Sequence, residues 1–130
     1  MTRDQMKNRT KVYANRVIAV CNALPNGWVP RTLGKQLLRC GTSVGANYRA
    51  VCRAKSNADF LNKLRIAEEE CDESLFRMEL LIENNFVKAI RLKSLMQEGD
   101  EILAIVVASA KIARANSGRR TYESHPVRKS

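Results

Sequence analysis

The chain has 130 residues, with 23 Lys or Arg against 13 Asp or Glu and a formal net charge of +10. This length predicts one domain with its own hydrophobic core, and a single histidine, His125, argues against a histidine metal site or a Ser-His-Asp triad. The longest apolar run, 102–108, is too short to span a bilayer, and the polar N-terminus lacks the apolar core of a signal peptide, so a cytoplasmic protein without membrane contact is expected.

The first predicted helix runs from about Arg3 to about Leu24, and Thr2 with Gln5 matches a capping box at its start. Its apolar side chains recur on one face at helical spacing. They are Met6, Tyr13, Val17, Val20 and Leu24, with Ile18 and Cys21 beside them. A turn at 25–27, Pro-Asn-Gly, ends this helix. In that connection Trp28 is expected to cover the end of the helices, with ligand stacking as the alternative.

The second predicted helix spans 30–56 as one continuous rod, and its helical wheel separates three kinds of residue. One face is basic: Arg31, Lys35, Arg39, Arg49 and Arg53. The opposite face is mostly apolar: Leu33, Leu37, Cys40, Val44, Asn47, Tyr48 and Val51. Small residues lie between the two: Gly34, Gly41, Gly45 and Cys52. A period of two would scatter each set over both faces, so the pattern favours a helix over a strand.

Two features of this helix allow alternatives. The G-x-x-x-G pair Gly41 and Gly45 predicts close helix packing, while a break near Gly41 is the competing interpretation. Asn47, one turn after Ser43, is expected to form a hydrogen bond across a helix interface and fix its register. A polar site in the core is the alternative for this pair.

The third predicted helix begins after Ser56, which forms a capping pattern with Asp59, and runs to about Glu83. Its apolar seam is Phe60, Leu64, Ala67, Cys71, Leu75, Met78 and Ile82. Acids cluster in its middle: Glu68, Glu69, Glu70, Asp72 and Glu73. A carboxylate metal site in a bundle usually adds a histidine. We therefore expect an acidic face turned to solvent or to a partner, with no metal and no cofactor.

The sequence 84–85, Asn-Asn, ends the third helix, and 86–91 is either a turn or the first turn of a fourth helix. That helix is predicted from about Leu92 to Ala115. Its expected seam is Met96, Gly99, Leu103, Val106, Ala110 and Ala113. Residues 116–118, Asn-Ser-Gly, are expected to stop it, leaving 1–118 as the folded domain and 119–130 as a basic, disordered tail. Four long helices with short connections predict an all-α, antiparallel up-down-up-down four-helix bundle.

Charge is unevenly distributed along the chain. Between residues 5 and 58 there are ten Lys or Arg and no acid, whereas residues 59–101 hold eleven acids and six bases. The basic face of the second helix has three interpretations: a solvated surface, pairing with the acidic face of a neighbouring copy, or phosphate binding. Without an interleaved aromatic platform, backbone-directed binding is expected rather than base stacking. The residues assigned to phosphate contact are Arg31, Lys35, Arg39, Arg49 and Arg53, extended by Lys7, Lys11 and Arg16.

No catalytic residue is assigned, so an enzyme is not expected. The four cysteines, Cys21, Cys40, Cys52 and Cys71, form no C-x-x-C pair and are expected to be reduced thiols at apolar helical positions.

The run 43–49, Ser-Val-Gly-Ala-Asn-Tyr-Arg, resembles the signature of the bacterial four helix bundle proteins, also called 23S rRNA intervening-sequence proteins. The likeness continues through Arg53-Ala54-Lys55-Ser56, Asp59-Phe60, Asp72-Glu73-Ser74 and Glu79-Leu80-Leu81-Ile82. This family is similar to the accessory variability determinant proteins of diversity-generating retroelements. The resemblance implies a four-helix protomer in a ring, typically a homopentamer, with basic surfaces linked to nucleic acid and no catalytic activity.

Together these observations predict a non-catalytic, homo-oligomeric protein that binds RNA or DNA phosphates or serves as a scaffold. The alternative is an adaptor that holds a partner protein such as a reverse transcriptase.

Overall fold

The structure is a computed structural model that describes residues 1–129 and the side chains of residues 1–116. It contains four α-helices, which are α1 (Arg3–Asn22), α2 (Trp28–Val51), α3 (Asn57–Glu83) and α4 (Ala89–Lys129). None of the described helices has an apolar stretch long enough to cross a membrane.

Helices α1 and α2 run in opposite directions. Thr10 and Val17 of α1 and Leu24 just after it lie against Gly45, Gly41 and Gly34 of α2, respectively, so the order is reversed. The same reversal joins α3 to α4, because Leu75 lies beside Gly99 while the earlier Asn57 donates from Nδ2 to the carbonyl of the later Ala113 at 3.3 Å. Each helix packs on the next, and α1 also contacts α4. The predicted all-α four-helix bundle is therefore confirmed.

Both predicted helix starts are capped by side chains. Gln5 N donates to Thr2 Oγ1 at 3.1 Å, and Thr2 N donates to Gln5 Oε1 at 2.8 Å, which completes the capping box. At α3, Asp59 N donates to Ser56 Oγ at 3.0 Å. The Asp59 carboxylate accepts from Lys55 N at 3.2 Å rather than from the cap residue itself.

The second helix differs from its prediction at both ends. It is unbroken at Gly41, but it begins at Trp28 and ends at Val51, five residues before the predicted end at Ser56. Ser56 has an extended backbone with φ −153° and ψ 167°, which its role as the N-cap of α3 requires, so the chain leaves the helix before it. Arg53 consequently lies in the turn between α2 and α3 rather than on α2.

The core contains most of the predicted seams. Across the four helices its largest fully buried side chains include Tyr13, Val17, Leu37, Val44, Leu64, Met78 and Val106. Two expectations for single residues were wrong. Ile18 is exposed, and Trp28 is 76% exposed and covers nothing at the end of the bundle.

The seam of α4 is rotated from the predicted one. Its buried residues are Leu92, Leu95, Gly99, Ile102, Val106, Ala110 and Ala113, whereas Met96 and Leu103 are only half-buried beside them. The apolar run 102–108 places an apolar side chain on every side of the helix, so its pattern does not indicate which face is buried. The helix begins at Ala89, within the segment that the sequence left ambiguous.

The predicted stop of α4 at 116–118 was wrong, because the helix continues to Lys129. Asn, Ser and Gly lower helix propensity by at most about 1 kcal/mol each, which weakens a helix without ending it. The side chains of the predicted tail, 119–130, lie outside the described residues, and the disorder of this tail stays a prediction.

A buried hydrogen bond joins diagonally opposite helices. The hydroxyls of Tyr13 on α1 and Ser74 on α3 are 2.8 Å apart, and Ser74 Oγ also donates to the carbonyl of Cys71. Asn47 does not have this role. Its Nδ2 donates to the carbonyl of Ser43 one turn earlier at 2.8 Å, so the predicted bond across an interface was wrong.

Gly41 provides a test of the α1–α2 contact. A Cβ at Gly41 would lie 2.7 Å from Cγ1 of the buried Val17. Although Ala has the higher helix propensity by about 1 kcal/mol, overpacking against this stiff side chain costs about 1–3 kcal/mol. Gly41→Ala is therefore expected to lower the free energy of unfolding by about 1 kcal/mol, measured by urea denaturation.

Two further variants serve as controls for Gly41→Ala. At Gly45 an added Cβ would meet Thr10 Oγ1 at 3.3 Å, so Gly45→Ala should cost less. The loss caused by Gly41→Ala should also shrink in a Val17→Ala background, where the clashing methyl groups are gone. A Gly41→Ala variant more stable than the parent would contradict this account of the contact.

Candidate nucleic-acid interface

The glycines of α2 set the geometry of its outer surface with α1. At Gly34, Gly41 and Gly45, α2 contributes no side chain to its contact with α1. Leu24 and Val17 therefore pack directly on the α2 backbone, and the axes can approach to the short end of the usual range of about 8–10 Å. Side chains that flank this contact on either helix then form the two edges of one groove.

Four cations line one end of that groove. Lys7 and Lys11 lie on its α1 edge, and Arg49 on α2 and Arg53 in the turn after α2 lie on the other edge, around a cavity of about 740 Å³. The remaining lining residues are small or polar, apart from one carboxylate: Asp4, Asn8, Ala14, Thr42, Gly45 and Ala46. Asp4 is 4.0 Å from Lys7, and both side chains are well exposed, so this pair is weak and screened by solvent.

Arg31 and Lys35 lie at the opposite end of the same pair of helices. Both line a second cavity, of about 300 Å³, beside the α1–α2 connection. Within residues 1–116 neither side chain forms a salt bridge. Six of the eight predicted phosphate-contact residues thus lie along the α1–α2 groove: Lys7, Lys11, Arg31, Lys35, Arg49 and Arg53.

Arg39 is not available in the way that was predicted. Its guanidinium forms salt bridges with Glu70, at 3.1 Å, and with Glu73, both on α3 of the same chain. Arg39 lies about 80° from Arg31 on the α2 wheel and is the basic side chain nearest to α3. Two acids one turn apart on α3 meet it there. The pairing expected between copies therefore occurs within one chain for this residue.

Arg16 also points away from the groove. Its guanidinium donates to Ser94 Oγ on α4 at 3.0 Å. Arg9, which the sequence analysis did not single out, spans the same helix pair: it contacts Glu98 at 2.7 Å and Glu101 at 2.8 Å. Hydrogen bonding to Arg9 holds the pKa of Glu98 below its usual range. Only the arrangement of α1 beside α4 makes this cluster visible, since Arg9 resembles any exposed basic residue in the sequence.

The side chains of the bundle interior show no sign of an activated nucleophile. All four cysteines are free, and burial raises the pKa of the Cys40 and Cys71 thiols to about 12. Burial also raises the pKa of Cys21. Thiols with raised pKa values are poor nucleophiles at neutral pH. Within the residues with described side chains, no three His, Cys, Asp or Glu side chains cluster to hold a metal ion.

These features define a basic four-helix-bundle protein in which, within residues 1–116, the cations along the α1–α2 groove form no salt bridge apart from Lys7 with Asp4. The chain belongs to the 23S rRNA-intervening sequence protein family, whose model matches residues 4–108. The resemblance indicated by the run 43–49 is confirmed at this level. The relation to accessory variability determinant proteins of diversity-generating retroelements stays a prediction.

A solved structure is similar to this one. It is the crystal structure of a protein with unknown function from the S23 ribosomal protein family of Bacteroides thetaiotaomicron. The two chains are 33% identical with a TM-score of 0.78, over 85% of this chain and 99% of the other. No curated protein matches the chain.

The salt bridges of Arg9 with Glu98 and Glu101 should make the free energy of unfolding depend on pH. Because the folded-state pKa of Glu98 is lowered, its contribution to stability is present above the unfolded-state value of about 4.3 and is lost as pH falls through the folded value. Arg9→Met should lower the free energy of unfolding at pH 7 by about 1 kcal/mol or less. The difference from the parent should shrink as pH falls below about 4.3, as measured by urea denaturation at a series of decreasing pH values.

Arg16→Met is the matched control. It removes a guanidinium from the same face of α1, but its hydrogen-bond partner Ser94 does not titrate in this range. The charge of Arg16 lowers the Glu98 pKa less than the hydrogen bond from Arg9 does, so Arg16→Met should show the smaller pH dependence. If Arg9→Met and Arg16→Met showed the same pH dependence, the assignment of the effect to Glu98 would be wrong.

Proposed function

We propose that this protein is a non-catalytic nucleic-acid-binding protein that contacts the phosphates of RNA or DNA through the α1–α2 groove. The observation that carries the proposal is the convergence of Lys7, Lys11, Arg49 and Arg53 on one concave surface. Among residues 1–116, the one carboxylate that lines this surface is the weakly paired Asp4. A polyanion that enters this groove releases counterions and meets cations from both edges.

Pairing elsewhere in the chain supports this assignment. Arg39 and Arg9 each contact two carboxylates, so these two cations are largely neutralised by α3 and α4. Within residues 1–116, the net positive charge is therefore concentrated along α1 and α2. Among these residues no aromatic side chain lines the cavity around Lys11 and Arg49, which favours contact with the backbone over recognition of particular bases.

The first test is reversal of charge within the groove. Lys11→Glu combined with Arg49→Glu should remove binding of a labelled RNA at 50 mM salt, measured by fluorescence anisotropy. For the parent, four phosphate contacts imply a slope of log K against log salt of about −3, which is a loss of about 50-fold between 50 and 200 mM salt.

Arg65→Glu with Lys93→Glu is the control, since both residues are exposed on α3 and α4 and the change in net charge is identical. This variant should retain much of the parent's affinity. Absence of RNA or DNA binding by the parent at low salt would reject the proposed function, as would equal losses in the two double variants.

Self-association is part of the same proposal. Exposed acids on α3, such as Glu69 and Asp72, lie on a different face from the cationic groove, so each copy presents unlike charges on different faces. Such surfaces suit head-to-tail contacts that close into a ring. We expect sedimentation analysis to give a homopentamer with five times the 14.7 kDa mass of one chain. A monomer at micromolar concentration would contradict this assembly.

A second candidate function is that of an adaptor for a partner protein, such as a reverse transcriptase. The observation that favours it is an apolar groove between α3 and α4, lined in part by Ile82, Ile90 and Met96. Ile90 is 75% exposed, which is unusual for a large aliphatic side chain. The adaptor becomes the favoured function if the parent protein binds no nucleic acid.

A further inference from the structure

Trp28 is the chain's only tryptophan and is 76% exposed. It is the first residue of α2, next to a connection in which Gly27 adopts φ 135°. An indole left in water forgoes the free energy that burial of its large apolar surface would provide. In the first turn of a helix, this exposed ring presents a flat apolar face on which a ligand could stack.

The cations nearest to Trp28 in sequence share its face of α2. On the helical wheel Trp28, Arg31 and Lys35 fall within about 60° of one another. The intervening Thr32 hydroxyl donates to the carbonyl of Trp28 at 2.7 Å and holds the first turn in place. No acid occurs in this turn. An exposed aromatic ring is therefore flanked by positive charge without a neutralising carboxylate.

The ring itself has no cationic partner among residues 1–116. The two cation–π contacts there are Arg3 with Phe60 and Arg77 with Phe76. Arg31 and Lys35 do not cover the indole, so its exposed surface is free to accept a flat ligand.

The position of this cluster connects it to the proposed interface. Arg31 and Lys35 line the cavity at one end of the α1–α2 groove, and Lys7, Lys11 and Arg49 line the other end. A strand whose phosphates follow the groove passes from one set of cations to the other. At the α1–α2 connection the strand reaches the helix turn that carries Trp28, because Gly27, Pro30 and Arg31 of this turn line the cavity there.

We propose that Trp28 stacks on an unpaired base of RNA or DNA while Arg31 and Lys35 contact the adjacent phosphates. This inference rests on the proposed function and adds a substrate class, since bases within a duplex are already stacked and cannot present a face to the indole. The protein should prefer a single strand, or a strand end or loop, over a continuous duplex. Stacking accepts every base, so no strong sequence preference follows.

Because Trp28 is the only tryptophan, its fluorescence reports on the site directly. The probes are a uridine oligonucleotide of about 12 nucleotides, an abasic strand of equal length, and a blunt duplex. We expect the uridine strand to quench the fluorescence, and the abasic strand and the duplex to leave it largely unchanged. Anisotropy of the same labelled probes measures binding independently of Trp28.

Three variants separate stacking from charge. Trp28→Ala should weaken binding of the uridine strand about tenfold without changing binding of the duplex. Trp28→Phe should retain most of the affinity. Phe76→Ala, which removes another exposed aromatic on α3, is the matched control and should change neither.

Several outcomes would overturn the inference. Binding seen by anisotropy without quenching would leave the groove as an interface and exclude stacking at Trp28. A change in sedimentation mass in Trp28→Ala would reassign the indole to a contact between copies. Equal loss of single-strand and duplex binding in this variant would also reject the preference for unpaired bases. Failure of every probe to bind by anisotropy would instead reject the proposed function itself.

Discussion

Val17 lies against the bare backbone of Gly41, and this contact sets how closely α1 can approach α2. Any side chain at position 41 would separate the helices. Because the two helices lie this close, cations that are more than 30 residues apart in the sequence line the two edges of one groove, as Lys11 and Arg49 do. The candidate interface therefore depends on a stretch of chain that contributes almost no side-chain atoms of its own.

The rest of the bundle divides the charge. Acids on α3 form salt bridges with Arg39, and acids on α4 form salt bridges with Arg9, so the charge of each arginine is largely neutralised within the fold. Within residues 1–116, cations along the α1–α2 groove form no salt bridge apart from the weak contact of Lys7 with Asp4. Six of the chain's 23 Lys and Arg therefore lie along one surface, although basic residues occur along the whole sequence. Trp28 stands at the end of that surface.

The sequence was sufficient for the helices, their caps and most of the core, because those depend on periodicity and on local hydrogen bonds. It was insufficient wherever the identity of a neighbouring helix decides. Arg39 and Arg49 occupy the same basic face of α2, yet only Arg39 meets carboxylates, since it lies on the side of α3. Likewise, the apolar run in α4 did not indicate which face of that helix is buried. No local pattern distinguished the buried Ser74 as the partner of Tyr13.

The salt bridges from Arg39 to α3 affect how much positive charge lies near the groove. Glu70 and Glu73 do not line the groove, yet they decide whether one more guanidinium can turn toward it. Replacing both glutamates with Gln would remove the two salt bridges and leave the charge of Arg39 uncompensated. The basic face of α2 would then gain one cation without any added Lys or Arg. Under the proposed function, carboxylates that do not line the groove would therefore set part of its affinity for a polyanion.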